Sequence, residues 1–145
     1  MKWVTRERPK IDRIACPWLI ARFIDPQAEF LYVPADQVLK VAEETGATPY
    51  DIPGVEYGHV GELCSFDAFL RIHALGDPAL AALATIVRGA DTGRLDLAPQ
   101  CAGLLAQSLG LSALYADDHE MLEHGMRMYD AYYAWLVRAG GERHG

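Results

Sequence analysis

The chain has 145 residues, 51% of them hydrophobic and 23% charged, and its net charge is −7. Length and composition fit one globular domain of about 100–200 residues and exclude a disordered polyelectrolyte. No apolar run approaches the ~18 residues of a membrane-spanning helix, and the acidic balance argues against a protein that wraps nucleic acid.

Lys2 to Arg6 alternates around Trp3 and reads as a strand. Arg8-Pro9-Lys10 breaks it, because Pro lacks an N–H and restrains its predecessor. Pro17 suits a first helical turn, so a helix is expected from Pro17 to Ile24, with Asp25-Pro26 ending it. Glu29 to Val33 reads as a second strand. Ala35 to Thr45 reads as a helix stopped by Gly46. Thr48 to Pro53 and Val55 to Tyr57 are short, turn-bounded strand candidates.

From Ser65 onward the pattern is helical. Ser65 or Asp67 caps a helix to about Ala74. Asp77-Pro78 opens another through Val87, and Pro99 a third through Leu109, with Gly110 as its stop. Asp117 and Asp118 precede a long segment to Val137, and Gly140-Gly141 lies beyond it. The sum is an α+β fold: a single, predominantly helical domain over residues 1–145 with a small N-terminal β-sheet. On the wheel of the last helix, His119 and Glu123 share one edge of the apolar arc, and Glu120 and His124 share the other. Either pair has the spacing to bind one ion.

The charge is uneven. Lys2, Arg6, Arg8, Lys10, Arg13 and Arg22 face only Glu7 and Asp12 in the first stretch, and the rest is strongly acidic. The start Met-Lys-Trp-Val-Thr-Arg has no apolar signal-peptide core. Cys16, Cys64 and Cys101 are widely spaced and form no CxxC. Free thiols in a reducing cytoplasm are the expectation.

Four stretches are recognisable together: "KWVTRERPKIDRIACPWLIARFID", "VEYGHVGELCSFD", "IVRGADTG" and "LYADDHEMLEHGMRMYDAYYAW". In order, and over nearly the whole chain, they resemble the ChrB C-terminal domain family of chromate resistance proteins. The resemblance implies a bacterial protein linked to chromate resistance and oxidative stress. In related proteins this portion is joined to an N-terminal regulatory segment or to a rhodanese-like sulfurtransferase domain. Some members carry His where this chain has Arg88, which leaves Asp91 as the ligand candidate of "IVRGAD".

The densest set of ligand types is Gly58-His59-Val60-Gly61-Glu62-Leu63-Cys64. Imidazole with carboxylate suits a divalent Zn, Fe, Mn or Ni ion, and a thiolate from Cys64 would favour Zn. This segment cannot complete a shell. His119 with Glu123 is the expected partner set, and Asp91 the alternative. His73 lies among Leu70 and Leu75 and reads as structural, and His144 lies in the tail. Arg6, Arg13 and Arg22 form the candidate anion site, since guanidinium groups bind oxyanions through paired donors. Asp12–Arg13 or Asp25–Arg22 ion pairs are the plainer account of these arginines. Cys16, just before the expected helix start, would sit where thiolates are stabilised.

Three readings compete. One is a metal-binding protein or metal-dependent enzyme of oxyanion or oxidative-stress metabolism. Another is a non-catalytic module that senses chromate or sulfate. The third is an interaction module, in a homo-oligomer or with a sulfurtransferase or regulatory partner. No nucleophile–base pair, phosphate loop or dinucleotide fingerprint assigns a reaction.

Overall fold

The computed structural model describes residues 1–139. The expected Gly140-Gly141 stop and His144 lie outside the described residues. Three parallel strands, β1 (Lys2–Arg6), β2 (Glu29–Val33) and β3 (Thr48–Pro49), form a sheet in the order β2-β1-β3. The remainder is mainly helical, an α+β fold. No helix among the described residues is long and apolar enough to cross a membrane.

The central strand is covered on both faces, as parallel sheets are. Trp3 points into the main core with Phe30, Tyr50, Tyr57 and Phe69. Val4 points the other way, into a smaller cluster with Val38, Ala47 and Ile52 beneath helix α2 (Val38–Thr45). A short 3-10 turn, Ala35–Gln37, leads into α2, and Gly46 at φ +74 ends it. The strand expected over 48–53 shrinks to Thr48–Pro49. Val55 to Tyr57 is not a strand, and only a single bridge joins Tyr50 to Tyr57.

Helix α1 (Asp12–Leu19) starts five residues before the expected Pro17 and continues as a π-helical turn, Ile20–Ile24. Pro17 is therefore interior. It offers no N–H to the carbonyl of Arg13, and the Tyr32 hydroxyl donates there instead, at 3.4 Å. The wider turn closes where the Asp25 N–H donates to Ile20 O at 2.7 Å.

Helix α3 (Ser65–Ile72) is capped by Cys64, one residue before the expected caps. The Asp67 carboxylate at the third position accepts the Cys64 N–H at 3.0 Å. Helix α4 (Pro78–Thr92) opens as expected, with Asp77 accepting the Ala79 N–H at 2.8 Å. It runs past Val87 to Thr92, with Gly93 in the left-handed region. That extension places Asp91 on its last turn.

Helix α5 (Cys101–Leu114) runs through Gly110 rather than stopping there. Helix α6 (Asp118–Ala139) follows as expected. Two glycines mark close helix contacts. A Cβ on Gly89 of α4 would lie 2.3 Å from Cys101 Sγ, and one on Gly125 of α6 would lie 2.4 Å from Ile14 Cγ2 of α1. Neither position has room for a larger side chain.

Candidate functional site

Three elements bring carboxylates to one imidazole. Asp12 is the first residue of α1, Asp51 follows β3, and Asp91 ends α4. The loop after Gly58 delivers His59. Its Nε2 lies 3.1 Å from Asp51 Oδ1, 3.2 Å from Asp91 Oδ2 and 3.6 Å from Asp12 Oδ2. Asp12 is completely buried and Asp51 nearly so, Asp91 is partly buried, and the His59 side chain is 41% exposed. One face of the imidazole thus remains open above a sunken acidic floor.

The floor is rigidly held. The Asp12 carboxylate accepts the backbone N–H groups of Ser65 and Phe66 at 2.8 and 3.1 Å and the Cys16 thiol at 3.2 Å. It caps the N-terminus of α3 from outside that helix. The Ser65 hydroxyl donates to Asp51 Oδ1 at 3.2 Å. The peptide ahead of Asp12 is strained: Ile11 sits at φ +48, ψ −99, an outlier for a β-branched residue. Two distant side chains clamp it. The Ser108 hydroxyl of α5 accepts its N–H at 2.6 Å, and the Tyr129 hydroxyl of α6 donates to its carbonyl at 3.0 Å. Asp51 is also left-handed, at φ +52. Such strain concentrates at functional sites.

Electrostatics follow from this packing. The Asp12 and Asp51 carboxylates push His59 up to about 10. Burial, and then the charges of Asp12 and Asp51, push Asp91 up to about 7. Burial raises Asp12 as well. In the ion-free protein His59 is an imidazolium shared among carboxylates crowded out of water.

Beside His59 lies a cavity of about 430 Å³ lined by Arg6, Asp51, Ile52, Pro53, Gly54 and His59. Arg6 and Arg13 approach Asp51 Oδ2 only at 3.9 and 3.7 Å. Arg6 Nε is buried without a hydrogen-bond partner. Arg13 is further held by the carbonyls of Arg6 and Glu7 at 3.2 and 3.3 Å, and burial lowers its pKa.

Of the residues expected from sequence, the structure brings together His59, Asp91, Arg6 and Arg13. Arg22 is elsewhere. It makes a two-point pair with Asp130 at 3.0 and 2.9 Å, and Trp18 Nε1 donates to the same carboxylate at 2.7 Å. The partner is neither Asp25 nor an anion, so Arg22 tethers the π-helical turn to α6. Glu62 is exposed at the tip of a tight turn between Val60 and Leu63. Cys64 is buried and donates to Asp67 at 3.3 Å, and burial raises its thiol far above the usual range. His119 packs edge-on against Tyr32, with ring centres 5.4 Å apart. Glu123 is exposed and loosely paired with Arg127. Among the described residues, Asp12, His59 and Asp91 form the one set of three ligand types within ion-binding distance. Glu62, Cys64, His119 and Glu123 do not join it.

Cys16 corrects another expectation. It lies inside α1, fully buried, and burial with the neighbouring Asp12 drives its thiol well above the ordinary range. It is not a stabilised thiolate. All three cysteines are free and buried. His73 is structural, with the Tyr57 hydroxyl 2.9 Å from its Nε2. Sequence reasoning missed Asp12 as a member of this cluster, taking it for a partner of Arg13, and missed Asp51 inside a supposed strand. The available signal was a lone acid in an apolar frame at Tyr50-Asp51-Ile52, whereas Asp12, beside Arg13, carries none.

Fold and site together define a helical domain with a small parallel sheet and, among the described residues, one partly buried His–Asp cluster. Residues 3–136 match the family model described as "ChrB, C-terminal domain", and the chain belongs to that family. It is 32% identical over 133 residues to Protein ChrB of Cupriavidus metallidurans (strain CH34). That match covers 91% of this chain but only 40% of the relative, so the chain spans less than half the relative's length. No solved structure matches it.

Proposed function

We propose that the chain is a metal-binding domain in which His59 Nε2, Asp12 and Asp91 hold a divalent transition ion and Asp51 flanks it. The supporting observation is the approach of one imidazole nitrogen to three carboxylates delivered by separate elements. Ligand atoms around an ion at ~2.1 Å are about 3.0 Å apart in an octahedron and about 3.4 Å apart in a tetrahedron. The 3.2 and 3.6 Å separations of Nε2 from Asp91 and Asp12 fall near these edges. A cation removes the cost of crowding the carboxylates and replaces the His59 proton. One nitrogen with carboxylate oxygens favours Mn or Fe over a thiolate-type Zn site, because Cys64 is turned away.

The open side of His59 supports a small oxyanion as the outer ligand. Arg6 lines that cavity, its buried Nε has no hydrogen-bond partner, and Arg13 approaches the same Asp51. Family membership supports placing this binding in chromate resistance, with chromate or sulfate as the oxyanion. Arg6, Arg13 and protonated His59 also favour a second reading, in which the domain senses the oxyanion without an ion.

Elemental analysis of protein purified without an affinity tag, followed by Mn²⁺ and Zn²⁺ titration calorimetry, tests the first reading. The expected result is one ion per chain, lost in both His59→Ala and Asp91→Asn. Metal-free protein with no affinity for either ion refutes it. A melting temperature that still rises with chromate or sulfate, and no longer does in Arg6→Ala, then supports the second reading.

A further inference from the structure

Two charged groups on the wall of the 430 Å³ cavity are left unmatched, one a donor and one an acceptor. Arg6 ends β1 with its side chain 39% exposed. Arg8, Arg13, Arg22, Arg88 and Arg94 each donate hydrogen bonds within the protein. The Arg6 guanidinium finds no hydrogen-bond acceptor among the described residues, and its Nε is buried without one. Its ion-pair contact, Asp51 Oδ2, stands 3.9 Å from Nη2, beyond hydrogen-bond reach. Asp51 is the acceptor. Its side chain is only 6% exposed, and its two oxygens differ. Oδ1 accepts the Ser65 hydroxyl at 3.2 Å and faces His59 Nε2 at 3.1 Å. Oδ2 accepts no hydrogen bond among the described residues, because Arg13 Nε stands off at 3.7 Å and Arg6 at 3.9 Å.

A guanidinium with unused donors beside a carboxylate oxygen with an unused lone pair is complementary to a ligand that carries both acceptors and a donor. The guanidinium calls for an oxyanion. The carboxylate decides which kind. A fully deprotonated oxyanion has acceptors only, so it satisfies Arg6 but sets a charged oxygen against Asp51 Oδ2 with no proton between them. Such an unpaired, like-charged contact is a device for rejecting a ligand. An oxyanion that keeps one proton donates it to Oδ2 and accepts from Arg6 with its other oxygens. Asp51 lies outside the set of Asp12, His59 and Asp91, so its Oδ2 is available whether or not an ion is held there.

We propose that the cavity selects tetrahedral oxyanions that carry a proton, with Asp51 Oδ2 accepting the ligand's O–H and Arg6 donating to its unprotonated oxygens. The inference rests on the oxyanion reading above and adds the chemical class. Hydrogen phosphate, hydrogen arsenate and hydrogen chromate fit it. Sulfate, which holds no proton in neutral water, does not. Asp51 is then the residue that sets specificity.

Titration calorimetry of the full chain with phosphate, sulfate and fluorophosphate at pH 8 is the test. There all three are tetrahedral dianions, and only phosphate bears a proton. Phosphate is expected to bind about tenfold or more tighter than the other two. Asp51→Asn should erase that preference, because the amide can donate to any of the three. Asn also tolerates the left-handed backbone at φ +52. Arg6→Ala should weaken phosphate binding about tenfold or more. Equal affinity for the three ions overturns the selectivity and leaves the oxyanion reading standing. So does a preference that survives in Asp51→Asn, or phosphate binding that Arg6→Ala leaves unchanged. No binding of any of the three overturns both. If Asp51→Asn fails to fold, the ratio of phosphate to fluorophosphate affinity in the wild type decides.

Discussion

Replacing Asp91 by Asn separates the energetic cost of the site from its use. The side chain keeps its shape and loses its charge. In the wild type the carboxyl is pushed from 3.8 to about 7 by burial beside Asp12 and Asp51. The folded state therefore holds a proton that the unfolded chain releases near pH 4. Wild-type stability falls as pH climbs from about 4 to about 7 and stays lowered above that. Each pH unit of this window is worth at most ~1.4 kcal/mol, so the whole effect is at most a few kcal/mol, reduced by the attraction of the His59 imidazolium. Urea denaturation of the metal-free proteins in chelator, at steps from pH 4 to pH 8, is the assay. Asp91→Asn should match the wild type near pH 4 and become the more stable protein by pH 8. On the proposed metal-binding reading, it should also fail to bind an ion. A stability difference that stays flat across this range refutes the assignment of Asp91 as a partly buried, charge-crowded member of the cluster.

Asp12→Ala should act in the opposite direction. It strands the Ser65 and Phe66 N–H groups, costing ~2–5 kcal/mol in the same urea assay, and a loss below about 1 kcal/mol would contradict its capping role. His59→Ala should remove a pH dependence of the same sense in a higher pH window. The raised His59 supplies stability that is fully present below about pH 6.5 and lost as pH rises through about 10, so denaturation curves at pH 6 and pH 10 should converge for the variant. Arg22→Ala should cost ~1 kcal/mol or less, its pair with Asp130 being half exposed; the chromate-induced thermal shift should survive it and fail in Arg6→Ala. Gly125→Ala places a methyl 2.4 Å from Ile14 Cγ2 and should cost ~1–3 kcal/mol by thermal melting.

Much of the fold was readable because local rules acted alone. Alternation around Trp3, the Asp77-Pro78 opening and the Gly46 stop each found their element. The misreadings share a cause: packing overrode local preference. From sequence the helix opened by Pro78 reads as ending at Val87, and the next as stopping at Gly110. Yet α4 needs Gly89 to approach Cys101, and α5 continues through Gly110. Pro17 looked like a first-turn residue because the Tyr32 hydroxyl that takes over at the Arg13 carbonyl is distant in sequence. The site was half legible. His59, Asp91, Arg6 and Arg13 are residue types that stand out in any context. A helical wheel shows that His119 and Glu123 share a face, but not which neighbour that face meets. Asp12 and Asp51 gain meaning only from burial, which depends on α1, α3 and α4 closing over them.

The clamp on Ile11 bears on where this molecule could be divided. Its two jaws, Ser108 and Tyr129, come from the final third of the polypeptide, whereas the pocket they brace is lined by Arg6 and residues 51–59. A fragment ending before Cys101 would release Ile11 to relax toward ordinary extended geometry and swing the neighbouring acid out of line. The pocket cannot be excised with its nearest residues; it stands or falls with helices that never touch it.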